Sequence, residues 1–322
     1  MRPAATWSTV RILVIGALLL LGAIGLVAAV ISTTGQATAL DVRVDAASLC
    51  IAFALSMLYW LLGGLAWWAV LRSITWTGKH LSLPDALSVF FIGNLGRYVP
   101  GKVWYAVGRT QLAGMRGADA STVAASLVLE IALIGTSGGV MIALGAPFLA
   151  LGNATPPWVG LLAVSMGLVA LHPRVFGALL RSIERFTHRT QGPGFYFPEP
   201  PTYPVALSLL ALYVGVWLVA ALALFATLRA VSPVSAEQLP AVAGAWGIAF
   251  LSGYVAPLLP AGLGVREATA SALLSGIVPL PIAVATAVLF RLLLTVAEAL
   301  CLAPFLFGLR AMIPARNTAE ES

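Results

Sequence analysis

A series of apolar runs, each about long enough to cross a membrane, limits the fold of this chain most strongly. A helix needs about 20 apolar residues to cross the hydrocarbon core, where only helices or closed barrels satisfy the backbone. The mean hydropathy is +0.97, and the alternating strands of a barrel are not evident. The sequence predicts an all-α polytopic membrane protein with about 7–8 transmembrane helices. The runs are 10–33, 46–71, 122–146, 158–171, 205–228, 241–259 and 282–309.

Charges are few, and they concentrate in particular loops. Charged residues make up 9% of the 322-residue chain, and the net charge is +6. Cytoplasmic loops carry an excess of Lys and Arg, so Arg2 and Arg11 predict a cytoplasmic N-terminus in the cell membrane. We expect a single integral membrane domain, 1–322, without a soluble catalytic domain. Two later loops are predicted to be cytoplasmic by their basic residues, which are Arg72, Lys79, Arg97, Lys102, Arg109 and Arg116 in one and Arg174, Arg181, Arg185 and Arg189 in the other.

Several partner classes lack their sequence signals. His80, His172 and His188 are widely separated, so no metal site is expected. The phosphate-binding pattern G-x-x-x-x-G-K-[ST] does not occur, which argues against ATP. The loop charges follow membrane topology, and we expect no nucleic acid and no cofactor.

Two apolar segments, 83–116 and 261–280, are interrupted near their middle by Gly and Pro. The first contains GNLGRYVPGKVWYAVGR (93–109), and it predicts half-helices over 85–94 and 102–115 because a residue before Pro avoids helical geometry. Irregular backbone at membrane depth requires protein or water around it, so we interpret both segments as re-entrant and place both on the cytoplasmic side. A surface helix with a loop is the alternative. The expected helix-break and cavity backbone residues are Gly96, Pro100, Gly101, Pro257, Pro260, Gly262 and Gly264.

The two broken segments suggest an internal repeat. Pro100-Gly101 and Ala261-Gly262 are 161 positions apart (261 − 100), and the same offset aligns Glu130 with Arg291. Broken segments at corresponding positions of two halves point to a transporter binding site. We therefore expect two pseudo-repeated halves, 1–160 and 161–322; chance similarity is the alternative.

Charged residues within the apolar runs must face protein or water. Each costs roughly 2.5–3.5 kcal/mol at a helix centre. Arg291 and Glu298 are seven apart and share one helical face, and we expect Glu130 to meet Arg291. Glu130, Glu267 and Glu298 are candidates for proton coupling or for ion pairs. A purely structural pair that fixes helix register remains open.

The positive charges of the first broken segment suggest an anion site. The planar guanidinium group matches phosphate geometry, and the start of the second half-helix adds N–H groups. Attraction to bulk anionic lipid, with Tyr98, Trp104 and Tyr105 as interfacial aromatics, is the alternative. The predicted headgroup-binding residues are Asn94, Arg97, Tyr98, Lys102, Trp104, Arg109, Arg266 and Arg291.

These residues carry a family resemblance. NLGRYVPGKVW, the intramembrane Glu130 and PAGLGVRE together resemble the flippase-like membrane family, which includes the transmembrane region of bacterial lysylphosphatidylglycerol synthases. The resemblance covers nearly the whole chain. It implies an integral membrane protein of about eight helices with re-entrant pieces. It also implies movement of lipids or lipid-linked sugars between leaflets, but not aminoacyl transfer, which the bifunctional members perform in a separate soluble domain.

The leading functional hypothesis is a flippase, not an enzyme, for an anionic phospholipid or a polyprenyl-phosphate-linked sugar. One alternative is a membrane glycosyltransferase that uses a lipid-phosphate donor, with Asp41, Arg43 and Asp45 in the first external loop. The other is a non-transporting scaffold, which would lack a continuous polar cavity.

Overall fold

The computed structural model describes residues 44–74, 80–99, 103–149, 158–191, 196–255 and 262–312. These residues are helical throughout, apart from turns and connections, and contain no strand. The helices are α1 (Ala46–Ser73), α2 (Leu83–Asn94), α3 (Val103–Gly114), α4 (Ala120–Gly145), α5 (Trp158–Leu171), α6 (Pro173–Gln191), α7 (Tyr203–Val231), α8 (Leu239–Val255), α9 (Val265–Leu274) and α10 (Leu280–Met312).

Four of the described helices, α1, α4, α7 and α10, are long and apolar enough to cross a membrane. A fifth span is possible if α5 and α6, which meet at a 73° bend, form one broken crossing. The polytopic all-α prediction is confirmed. The first predicted span, 10–33, lies outside the described residues.

The first broken segment forms a helical hairpin, called here the N-terminal hairpin (α2 and α3). Ser82 caps α2 by accepting the backbone N–H of Asp85 at 3.3 Å, and a proline occupies the first turn, where its missing N–H has no cost. After α2 a short 3₁₀ turn, Leu95–Tyr98, ends the regular structure. At the open end of the hairpin, Arg116 Nε lies 3.3 Å from Asp85 Oδ1.

The second broken segment forms the C-terminal hairpin (α8 and α9). Gly264 begins α9 with φ +83°, a left-handed value that glycine adopts without strain. Its N–H donates to Glu267 Oε2 at 2.7 Å, so Glu267 stabilises the start of the helix. The predicted span 241–259 is therefore mostly the first arm of a hairpin, a helix of 17 residues.

The two hairpins enter the bundle from opposite ends. The open end of the N-terminal hairpin, where Asp85 meets Arg116, lies beside the first residues of α4, which begins at Ala120. At the other end of α4, Gly145 packs against Pro240 and Gly244 at the start of α8, so closely that a Cβ on Gly145 would lie 2.3 Å from Gly244 N. The prediction that both broken segments lie on the cytoplasmic side is wrong. That prediction counted 241–259 as a complete membrane crossing, and it therefore placed the segment after residue 259 on the opposite side of the membrane.

The remaining long helices hold the hairpins in place. The chain leading into α1 pairs with the end of α7, where Asp45 N donates to Ala230 O at 2.8 Å. Deeper in the bundle, Trp60 Nε1 of α1 donates to Leu294 O of α10 at 2.8 Å. A long helix, a hairpin and a second long helix thus occur in the same order as α1 to α4 and again as α7 to α10. The proposed division into repeated halves, 1–160 and 161–322, remains a prediction.

Candidate functional site

A cavity of about 170 Å³ lies where the two hairpins meet, and α1, α4, α7 and α10 close its sides. Asn94 and Arg97 contribute from the N-terminal hairpin, and Gly253, Gly262 and Arg266 from the C-terminal hairpin. The arginines among its described lining residues are Arg97, Arg109, Arg266 and Arg291.

Arg109 is the most deeply buried of these cations, with 2% of its surface exposed. Its Nη1 donates to Glu130 Oε2 at 2.6 Å, and its Nη2 donates to Asn94 Oδ1 at 2.8 Å. The guanidinium group also lies 4.5 Å from the ring centroid of Phe90 and 4.8 Å from that of Trp67. Arg109 thus joins α2, α3 and α4 through an ion pair, a hydrogen bond and contacts with two aromatic rings.

Glycines permit this close packing within the N-terminal hairpin. A Cβ on Gly93 would lie 2.4 Å from Arg109 Cγ, and one on Gly96 would lie 2.5 Å from the backbone of Trp104. Side chains at either position would separate α2 from α3 and move Arg109 away from its partners. Gly96 was predicted from its helix-breaking character, whereas Gly93 was missed as a packing residue.

Arg97 joins the N-terminal hairpin to α10. It forms an ion pair with Glu298 and stacks over Trp60, with its Cζ 4.5 Å from the ring centroid. The hydroxyl of Tyr98 donates to the same carboxylate at 2.6 Å. These contacts fix Glu298, which is buried, at the tip of the hairpin.

Arg291 of α10 pairs with Glu267 of α9, with Nε 3.6 Å from Oε1. The prediction that Arg291 meets Glu130 is wrong, because Glu130 is held by Arg109. The two aligned positions, Glu130 and Arg291, nevertheless play similar parts. Each forms an ion pair with a residue of the hairpin that precedes it, but the carboxylate lies on the long helix in the first pair and on the hairpin in the second.

Arg266 differs from the other three arginines. It forms no ion pair with a carboxylate among the described residues. Its Cζ lies 4.1 Å from the ring centroid of Phe250 and 5.6 Å from that of Trp246. Its Nε is buried without a hydrogen-bond partner, a feature that it shares with one nitrogen on each of the other three. Three carboxylates therefore accompany four cavity arginines, which leaves one excess positive charge in this part of the site.

The structure brings together most, but not all, of the predicted site residues. Trp104 is 54% exposed and is not among the residues lining the cavity. Gly262 (φ +70°) and Gly264 (φ +83°) lie at the helix break as predicted. Pro100, Gly101, Lys102, Pro257 and Pro260 lie outside the described residues.

Sequence reasoning missed the aromatic part of the cavity. Tyr59, Tyr213, Phe250 and Tyr254 line it, yet each lies in an apolar helix where an aromatic residue carries no distinguishing signal. Tyr105 was interpreted as an interfacial aromatic residue and also lines the cavity.

A family model described as the lysylphosphatidylglycerol synthase TM region matches residues 8–300. The chain belongs to this family. The match spans both hairpins and every cavity residue named above, so the cavity is part of the family's transmembrane domain. No curated protein matches the chain. Membership of this family supports the interpretation of the chain as a lipid-related membrane protein.

Proposed function

We propose that this protein is a flippase that moves a phosphate-bearing lipid between the leaflets of the cell membrane. The lipid is an anionic phospholipid or a polyprenyl-phosphate-linked sugar. The main support is Arg266, a cavity cation without a carboxylate partner among the described residues. A positive charge kept in an apolar protein needs a counter-charge, and a lipid phosphate supplies one.

The arrangement of the hairpins fits the physical task. A headgroup must cross about 30 Å of hydrocarbon, in which an isolated charge is strongly disfavoured. The hairpins enter from opposite ends, and Arg97 and Arg266 of the two hairpins line the cavity in the interior of the bundle. The acyl chains can remain in the bilayer while the headgroup occupies the cavity. We propose that the two halves, 1–160 and 161–322, move relative to each other about this site.

The source of energy is part of the proposal. We propose that the lipid gradient, the membrane potential or protons drive the movement, since the chain lacks an ATP-binding pattern. Glu130, Glu267 and Glu298 are the carboxylates to test for proton coupling. Each pairs with an arginine, so its protonation would weaken an ion pair.

The glycosyltransferase alternative gains no support from the described residues. Asp45 is exposed, and its carboxylate caps α1 by accepting the N–H groups of Ala47 and Ser48, both at 3.2 Å. The hydrogen bonds from the Ser48 hydroxyl and backbone lower the pKa of Asp45, which makes it a weaker base for activating an acceptor. Asp41 and Arg43 lie outside the described residues.

Reconstitution tests the proposal. Purified protein is placed in vesicles with a lipid that carries a fluorophore on an acyl chain and an anionic headgroup, and movement is followed by chemical quenching of the outer leaflet. We expect transfer above that of protein-free vesicles, and Arg266→Ala should reduce the rate about tenfold because a charge-assisted contact with phosphate is lost.

Arg229→Ala is the matched control, since this exposed arginine ends α7 away from the cavity. It should transfer lipid at the wild-type rate. Equal rates for the Arg266 and Arg229 variants, at equal reconstitution, would contradict the role of Arg266. Absence of transfer by the wild-type protein with every phosphate-bearing lipid would contradict the flippase proposal.

A further inference from the structure

The helix α6, Pro173–Gln191, differs from the long apolar helices because it is charged. Arg174, Arg181 and Arg185 lie within about three turns of it, and a charged side chain is costly at membrane depth. The helix also bends by 73° from α5, the apolar helix that precedes it. Both properties favour a position of α6 along the surface of the membrane over a position across it.

One side of α6 packs against the bundle. Phe176 and Leu180 of this side are each 2% exposed. They belong to a hydrophobic cluster that also contains Val70 and Ile74, where α1 ends, and Leu209 near the start of α7. This packing fixes α6 to one end of the bundle and determines which of its sides faces outward.

The outward side of α6 consists of two stripes, named here the arginine stripe and the apolar stripe. A helix turns by about 100° per residue, so the arginine stripe occupies an arc of about 40° and the apolar stripe a similar arc about 120° away. The arginine stripe consists of the exposed residues Arg174, Arg181 and Arg185. The apolar stripe consists of Val175, Leu179 and Phe186, whose exposed fractions are 43%, 46% and 69%. Apolar and basic stripes side by side are typical of a helix that lies in the membrane interface.

The arginine stripe carries an excess of positive charge. None of its three residues forms an ion pair with a carboxylate in the part of the chain that the structure describes. Glu184 is the acidic residue of α6, and it is half-buried on the side of the stripe away from the apolar stripe. A guanidinium group binds phosphate through two parallel hydrogen bonds, and basic groups at a membrane surface are attracted to anionic lipids.

We infer that α6 binds the bilayer surface, with its apolar stripe against the acyl chains and its arginine stripe on the headgroups of anionic phospholipids. These lipids are held at the interface and are not transported. The site is separate from the cavity, since no described residue of α6 lines the cavity. The inference therefore goes beyond the proposed flippase function and does not depend on it. The loop charges predict that this end of the bundle is cytoplasmic, and the cytoplasmic leaflet is the one with a negative surface potential.

Hydrogen–deuterium exchange of α6 tests this inference. The full-length protein is placed in nanodiscs of phosphatidylcholine alone, or of equal parts phosphatidylcholine and phosphatidylglycerol, and exchange of the amides of residues 173–187 is followed by mass spectrometry. We expect exchange to be about tenfold slower in the anionic bilayer at low ionic strength, because attraction to the headgroups opposes local opening of the helix. High salt should reduce the difference.

A charge variant tests whether the arginine stripe is responsible. The combined change Arg174→Gln, Arg181→Gln and Arg185→Gln should make α6 exchange at the same rate in both bilayers. Arg229→Gln is the control, because this exposed arginine lies at the end of α7 that is remote from α6. It should preserve the tenfold difference.

A cavity variant separates this site from the proposed transport site. Arg266→Ala alters the cavity and leaves α6 unchanged, so the slow exchange in the anionic bilayer should persist. If the difference disappears in Arg266→Ala, phosphatidylglycerol acts through the cavity, which overturns the inference and leaves the flippase proposal in place.

The remaining outcomes are equally decisive. Equal exchange of the wild-type helix in both bilayers overturns the inference and leaves the two stripes to another occupant, such as an acidic protein. Slow exchange that persists in the triple variant assigns the effect to other groups and also overturns it. Slow exchange that only the triple variant abolishes supports the inference, even if the protein transfers no lipid.

Discussion

The two hairpins use the same elements but satisfy their charges differently. In the N-terminal hairpin, Arg109 and Glu130 meet at 2.6 Å with side chains 3% and 8% exposed. In the C-terminal hairpin, Glu267 and Arg291 are 3.6 Å apart with side chains 17% and 14% exposed, and the neighbouring Arg266 has no carboxylate partner among the described residues. The arginine of the first arrangement has a carboxylate partner, whereas the second arrangement contains one arginine more than it has carboxylates. We propose from this difference that the N-terminal hairpin provides a fixed wall and that the C-terminal hairpin provides the surface that responds to a ligand.

The largest effect is expected when the ion pair between Arg109 and Glu130 is broken. Glu130→Gln leaves the buried Arg109 charge without its counter-charge, and we expect the free energy of unfolding to fall by about 3 kcal/mol. Glu267→Gln is the matched change in the other hairpin, and its more exposed pair should lose about 1 kcal/mol. Denaturant unfolding in detergent measures both. Equal losses would remove the distinction between a fixed and a responsive hairpin.

The next effect concerns the close packing of the N-terminal hairpin. Gly96→Ala introduces a Cβ 2.5 Å from the backbone of Trp104, where no side-chain movement can relieve the overlap. We expect a loss of about 1–3 kcal/mol, together with weaker lipid transfer because the cavity wall shifts.

Gly135→Ala is the control for that change, since a Cβ there meets nothing within 4 Å and alanine favours the helix. The same unfolding and transfer measurements apply. If Gly96→Ala behaves like Gly135→Ala, the tight approach of α2 and α3 does not shape the site.

The smallest expected effect is a coupling energy that tests whether Arg291 pairs with Glu267 or with Glu130. A double-mutant cycle on Glu267 and Arg291 should give a coupling of about 0.5–1 kcal/mol, because the pair is separated but partly buried. The corresponding cycle on Glu130 and Arg291 should give none. Coupling in the second cycle and not in the first would restore the pairing that sequence alone suggested.

The local structure of the hairpins was readable from sequence because Gly and Pro act locally. The half-helices predicted over 85–94 and 102–115 correspond to α2, Leu83–Asn94, and α3, Val103–Gly114. The predicted Gly262–Gly264 turn likewise precedes α9. Presence of charge inside the membrane was also readable, since Glu130, Arg291 and Glu298 interrupt apolar runs.

Partners and direction were not readable, because both depend on tertiary packing. Nothing in the sequence shows that Glu130 faces Arg109 and not Arg291, since several arginines satisfy the same requirement. The apolar stretch that forms α8 is long enough to be interpreted as a crossing, although it turns back at the helix break. Most of the aromatic lining was missed because Tyr59, Tyr213 and Tyr254 lie in helices that are apolar on every side.

The ion pair between Arg97 and Glu298 has one further consequence. It joins a hairpin to the last long helix, whereas the described residues contain no ion pair between the other hairpin and α4, which pack together through Gly145 and Gly244. If the contacts of the two proposed halves were equivalent, the cavity would open with equal probability toward either side of the membrane. Under the proposed movement of the two halves, we expect this ion pair to favour the orientation in which it is intact, so that the protein has a preferred resting state.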